Sequence, residues 1–201
     1  FEAIVDEPGP VEVETVVGAE WRVPLSGLVN LEHPAARAAG LEERDEPIVV
    51  AFHALRHPTR GTFLVDTGVE RALFEAPDEA AIRGVVARVA KIDAMTRRTD
   101  TASWVARHPD ARVGGVLLTH LHLDHVSGMR DVPDATPVFV GPGEATARSA
   151  ENLAVRGSVD RALEGKPALS ELAFSPDPDG LFAGVLDLFG DRTVFAVHVP
   201  G

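Results

Sequence analysis

The sequence predicts a mixed α/β layered fold, and three observations carry that expectation. Short β-type apolar runs follow one another early in the chain, then alternate with stretches of helical spacing. Hydrophobic residues make up 45% and charged residues 25% of 201 positions, the balance of a globular chain with a substantial core. No apolar stretch approaches the ~20 residues that a membrane helix needs.

Val11 to Val17 alternates apolar and polar residues, as a half-exposed strand does. Residues 24–47 hold three prolines and the charged run Glu42-Glu43-Arg44-Asp45-Glu46, and read as a long connection. Ile48 to Phe52 and Thr62 to Val65 are strands, joined through His57-Pro58-Thr59-Arg60-Gly61, whose Pro and Gly suit a hairpin or loop. Pro77-Asp78-Glu79 predicts a helix start, with Ile82, Val85, Val86 and Val89 as a core-facing stripe. Thr101 to Arg107 predicts a short second helix, ended by His108-Pro109. Pro137 to Val140 is a further strand, and Gly141-Pro142-Gly143-Glu144 opens a helix. Residues 150–180 mix helical stretches with the turn Pro176-Asp177-Pro178-Asp179-Gly180. Gly184 to Phe189 and Thr193 to Val199 flank Gly190-Asp191-Arg192 as a hairpin.

The formal net charge is −12, from 19 basic against 31 acidic residues. Binding a phosphate backbone or an anionic membrane draws on clustered Lys and Arg, so neither nucleic acid nor a membrane is expected as a partner. There is no cysteine, hence no disulfide and no thiolate ligand, and the redox compartment stays open. No signal peptide is visible, yet the chain begins with Phe1 rather than Met. The expectation is a soluble chain, with the cytoplasm favoured over a processed or secreted form.

The chemistry is concentrated in Thr119-His120-Leu121-His122-Leu123-Asp124-His125, directly after the apolar run Val113 to Leu118. Four metal-ligand side chains fall within six residues, where a bland polar loop has little use for them. If the chain stays extended, His120, His122 and Asp124 share one face and His125 points elsewhere, toward a second metal. Imidazole and carboxylate suit zinc, and also iron or manganese.

This segment resembles the His-x-His-x-Asp-His signature of the metallo-β-lactamase-fold hydrolases, with Gly128 where a small residue usually follows. Gly61 to Gly68 resembles that family's strand ending in Asp-Thr-Gly, here Asp66-Thr67-Gly68. Phe195 to Gly201 resembles the approach to a Pro-Gly-His segment. The resemblance implies a four-layer αββα sandwich with one or two metal ions, zinc first, at one edge. It places His120 and His122 on the first metal, and Asp124 and His125 on the second. Asp124 would also orient the attacking hydroxide and receive its proton. Asp66 and Thr67 would lie beside the ligand loop, Asp66 receiving an N–H from a ligand histidine. A simpler role for Asp66, a strand-end turn bonding backbone amides, is compatible with that one.

The same resemblance raises an expectation about extent. The family's next histidine and later ligands would follow Gly201, so residues 1–201 would be a single domain lacking its C-terminal part. Such a piece leaves an open edge that a homo-oligomer would cover. The expected function is hydrolysis of an ester, lactone, thioester or amide of a small organic substrate by metal-activated hydroxide, with lactonase- or esterase-like chemistry favoured. The alternative is a non-catalytic piece with an incomplete metal site.

Overall fold

The structure, a computed structural model, describes residues 9–146 and 150–199. Strand β1 runs from Glu12 to Pro24, well beyond Val17, because Gly18 inserts a bulge between the pairs Val17–Ala51 and Ala19–Val50. Side chains alternate with period two, so an unbroken strand continuing inward from Val16 would drive Glu20 and Arg22 into the core. The bulge resets the phase, and Ala19, Trp21 and Val23 join Val16 in the core instead. A side chain at Gly18 would meet Val50 O at 3.2 Å.

The expected long connection is shorter than 24–47 and holds helix α1, Pro34–Ala38, where the His33 ring accepts from Ala35 N at 3.2 Å. Strand β2, Asp45–His57, pairs antiparallel with β1, and β3, Gly61–Val65, pairs antiparallel with β2. There follow α2, Ala72–Glu75; α3, Gly84–Val89; β4, Thr96–Arg97; α4, Thr101–Arg107; and β5, Val113–Leu117. Then come α5, Leu123–Val126; β6, Val138–Val140; α6, Ala150–Ala162; β7, Ser170–Glu171; β8, Gly184–Asp187; and β9, Phe195–His198. The main sheet has the order β4-β1-β2-β3-β5-β6-β7, and β8 and β9 form a separate antiparallel pair. Pairing is parallel from β3 through β5 and β6 to β7, so the intervening helical segments are crossovers.

The core lies on the helical face of the sheet. Phe52, Leu64, Val116, Val138 and Val140 meet Leu73, Ile82, Trp104, Val126, Met129 and Val132 there. Trp104 stands edge-on to Phe52, with ring centroids 5.6 Å apart. Helix α4 is capped by Asp100, which accepts from Ser103 N at 2.7 Å, as the expected helix at Thr101 requires.

The predicted helix from Pro77 is corrected. Residues 77–83 are turns, and the helix begins at Gly84. The buried Glu70 carboxylate accepts from Ala81 N at 2.6 Å, and Ala80, Ala81 and Ile82 are buried as non-helical chain. Gly84 then takes a left-handed φ of +65°, which restarts the chain in a new phase. Val85 and Val89 consequently point outward at 72% and 76% exposure, so of the expected stripe only Ile82 and, in part, Val86 are core packing. Val86 alone of the helix valines packs against the core. The helix expected from Glu144 is a single 3-10 turn, Glu144–Thr146, with α6 starting at Ala150.

The opposite face of the sheet carries the β8–β9 hairpin. His57 Nδ1 accepts from Thr59 N and Arg60 N, both at 3.1 Å, so its Nε2 bears the proton and donates to Asp191 at 2.7 Å. The Phe189 ring lies 4.9 Å from both His57 and Phe63. Gly115 makes room on this face: a Cβ there would stand 2.9 Å from Phe139 and 3.1 Å from Phe63. An apolar cleft of about 360 Å³ runs between the two sheets, from Leu55 and Phe174 to Thr119 and His198. Helices, main sheet and small sheet supply three of the expected four layers among the described residues. Pro200 and Gly201 lie outside them.

Candidate metal centre

Strand β5 ends where the ligand-rich segment begins. Leu118 N still donates to Phe139 O at 2.9 Å, and the chain then turns out of the sheet. His122 is the N-cap of α5, and Asp124 and His125 lie in its first turn. The extended alternation expected for His120, His122 and Asp124 is therefore not what gathers these side chains. A turn followed by a helix gathers them, because a helix brings residues of one turn back toward the chain preceding it. The His120 ring lies 4.0 Å from His125 and 4.5 Å from His122, centroid to centroid. Asp124 Oδ2 is 3.2 Å from His125 Nε2.

Asp66 closes the site from the end of β3. It is buried, and its φ of +59° is a left-handed conformation that Asp tolerates better than most residues. One carboxylate oxygen accepts from Thr119 N at 2.9 Å, and the other accepts from His125 Nδ1 at 2.8 Å. Thr67 N and Thr67 Oγ1 both donate to His125 O, at 3.0 and 2.7 Å. Asp66 is thus at once a turn residue bonding a backbone amide and a partner of a candidate ligand. Gly128 packs the segment after α5 against this turn: a Cβ there would fall 1.9 Å from Thr67 O.

With no ion bound, the two carboxylates beside His125 favour its charged form. Burial alone would lower its pKa, but hydrogen bonds to Asp124 and Asp66, with their charges, outweigh burial and raise it to about 10. Asp124 is pulled the other way. Burial raises it, yet the His125 hydrogen bond and charge hold it below the usual carboxylate value. His120 is held below its ordinary value by burial and by the neighbouring His125 and His122, which keeps it the neutral imidazole that metals bind.

Among the described residues, no three His, Cys, Asp or Glu side chains surround one point closely enough to hold an ion as they stand. The donor set nonetheless fits one. It offers three clustered imidazoles, the ionised Asp124 carboxylate, and a ring whose Nδ1 is committed to Asp66 while its Nε2 faces Asp124 Oδ2 at 3.2 Å. The remaining histidines lie elsewhere. His53 bonds Thr15 Oγ1, His108 stacks on Trp104, and His198 stacks on Phe174 in β9.

Two residues of the site were not singled out by sequence reasoning. The Thr119 hydroxyl sits 3.0 Å from both Asp66 oxygens and 3.2 and 3.1 Å from His120 and His125 Nδ1. Glu144 Oε1 accepts from Leu121 N at 2.7 Å. Thr119 abuts the motif and was open to notice. Nothing in the local sequence marks Glu144, 23 residues away.

Residues 49–201 match the metallo-beta-lactamase superfamily. The chain belongs to that superfamily. Membership supports a hydrolase and implies use of a divalent metal. Gamma-lactamase MBL2 of Gibberella moniliformis is 30% identical over 143 residues, covering 68% of this chain and 57% of that protein. A 1-deoxy-D-xylulose 5-phosphate reductoisomerase of Pseudomonas putida is 29% identical over 101 residues, which are only 26% of its length. Among solved structures, a quorum-quenching N-acyl homoserine lactone lactonase superposes with a TM-score of 0.52 at 15% identity, over 86% of this chain and 61% of that one. A probable metal-dependent hydrolase from Staphylococcus aureus gives 0.57 at 14% identity, over 86% and 63%. These two show a shared fold. The chain spans less than two thirds of the length of each of these relatives.

Proposed function

We propose that this superfamily member acts as a metal-dependent hydrolase on an ester, lactone, thioester or amide of a small organic substrate, with lactonase- or esterase-like chemistry foremost. The observation that carries the proposal is the convergence of His120, His122 and His125 beside the ionised Asp124, with Asp66 bonded to His125. His120 and His122 would hold one ion, and Asp124 and His125 a second, with zinc the first candidate and iron or manganese the others. A divalent ion bound there supplies Lewis acidity toward a carbonyl oxygen and lowers the pKa of water to about 7.

The chain's own groups do the rest. Asp66 fixes the His125 ring through Nδ1. Asp124, half-buried and ionised, is the base placed to receive a proton from an attacking water. The similarity to a gamma-lactamase and to an N-acyl homoserine lactone lactonase supports a cyclic amide or ester as substrate.

The test is His122→Ala, with metal per chain measured by elemental analysis alongside hydrolysis of a panel of lactones and esters. Loss of both metal and turnover is expected; a variant with normal turnover would sink the assignment. A second reading is a chain with an incomplete and inactive site, since among the described residues no three candidate ligands surround one point. Close to two equivalents of metal in the purified parent would exclude it.

A further inference from the structure

The turn bearing His120 and His122 is held from both sides by carboxylates. In the main sheet, β5 lies between β3 and β6. Each neighbour sends a carboxylate from beyond its C-terminal end into the turn that follows β5. Asp66, after β3, takes Thr119 N at 2.9 Å, and Glu144, after β6, takes Leu121 N at 2.7 Å. Leu121 is the residue between the two histidines, so its amide lies in the peptide unit joining His120 to Leu121. Fixing that N–H fixes the plane of this peptide and so restrains the short backbone path that leads from His120 to His122.

Glu144 is itself held in place. Gly143 N donates to Glu171 Oε1 at 3.1 Å, and Thr146 Oγ1 donates to Gly143 O at 3.2 Å. A line of contacts thus runs from β7, through the turn after β6, to the ligand turn. A hydrogen bond to an ionised acceptor is stronger than a neutral one, which suits a turn that no longer has sheet partners.

We infer that Glu144 is a positioning residue for the metal centre, orienting His120 and His122 through the Leu121 amide. The inference rests on the metal reading above for its consequence, but the contact itself can be tested without metal. Two variants, Glu144→Ala and Glu144→Gln, separate the hydrogen bond from the rest, since glutamine keeps an acceptor oxygen. In the metal-free chain, NMR hydrogen exchange at the Leu121 amide should quicken at least about tenfold in Glu144→Ala and stay near the parent in Glu144→Gln.

With cobalt(II) as probe, chelator competition should show about 10–100-fold weaker binding in Glu144→Ala, with an altered visible spectrum, while Glu144→Gln stays within a few-fold of the parent. A merely structural contribution would lower the melting temperature without moving the cobalt spectrum. Unchanged Leu121 exchange in Glu144→Ala, or Glu144→Gln failing as badly as alanine, overturns the inference. If the parent itself takes up no cobalt, the metal reading falls, and Leu121 exchange still decides the Glu144 contact.

Discussion

Gly128→Ala should be the most damaging single-methyl change near the site. A Cβ at Gly128 would stand 1.9 Å from Thr67 O, 2.8 Å from Thr67 C and 2.3 Å from Thr101 Oγ1, against a floor of 3.0 Å for real contacts. At least 1.1 Å must therefore open between the chain after α5 and the Asp66-Thr67 turn. No rotamer change relieves the clash, because the nearest atom, Thr67 O, is backbone. The φ of Gly128 is −82°, so the cost is crowding, not conformational strain. Opening the gap strains Thr67 N and Oγ1 to His125 O, Thr101 Oγ1 to Thr67 O, and Ser127 Oγ to Gly68 O.

Overpacking ordinarily costs about 1–3 kcal/mol, and a backbone clash belongs at the upper end or beyond. For a chain of this size, ~3 kcal/mol lowers the melting temperature by roughly 6–12 °C. A displacement of about 1 Å at a catalytic group is worth about a hundredfold in rate. The assay is thermal unfolding by circular dichroism, with metal affinity measured on the same samples. Gly27→Ala is the control. It has no atom within 4 Å of the added methyl and should change stability by less than about 0.5 kcal/mol. A Gly128→Ala melting temperature within about 1 °C of the parent would refute the close-approach argument.

Asp66→Asn keeps a residue that tolerates the left-handed backbone and can still accept from Thr119 N, so unfolding should shift little. Metal affinity should drop about 10–100-fold by chelator competition, because His125 Nδ1 loses its anionic partner. Unchanged affinity would leave Asp66 a turn residue only. Asp100 is a handle on pH. Burial raises its carboxyl, but the Ser103 amide and the Arg97 guanidinium outweigh burial and hold it below 3.8. A depressed folded value gives stability that is present above the ordinary value and lost as pH falls through the folded one. Asp100→Asn should therefore flatten the acid limb of the stability profile; a profile parallel to the parent's would count against it. Glu70 has the opposite sign. Burial raises it from 4.5, so its charged form costs stability as pH rises through the folded value. Glu70→Gln removes a contribution that favours the fold at acid pH, so the drop in stability from neutral to acid pH should widen in urea melts; a narrower drop would count against it.

The chain's own order of residues determined a good deal. The dense ligand segment, the Asp-Thr-Gly strand end, the helix at Thr101 and the two hairpins are local features. Each follows from ligand chemistry, capping or turn residues within a few positions of one another. Superfamily membership was legible for the same reason. Other features depend on which elements become neighbours, and only the tertiary structure decided those.

The Gly18 bulge exists because Glu20 and Arg22 must face away from a core formed partly by Val69 and Trp104, residues far along the chain. The break at Gly84 follows from the buried Glu70 capturing Ala81 N, and a helical stripe in the sequence carries no record of that capture. The imidazoles meet through a turn and a helix, not along an extended strand. Asp66 and Glu144 grip that turn because β3 and β6 flank β5. Short-range pattern determined which groups are present; sheet order determined which of them touch. Contacts across 20 to 60 positions leave no period in a sequence, because they are set by packing and not by the backbone's own repeat.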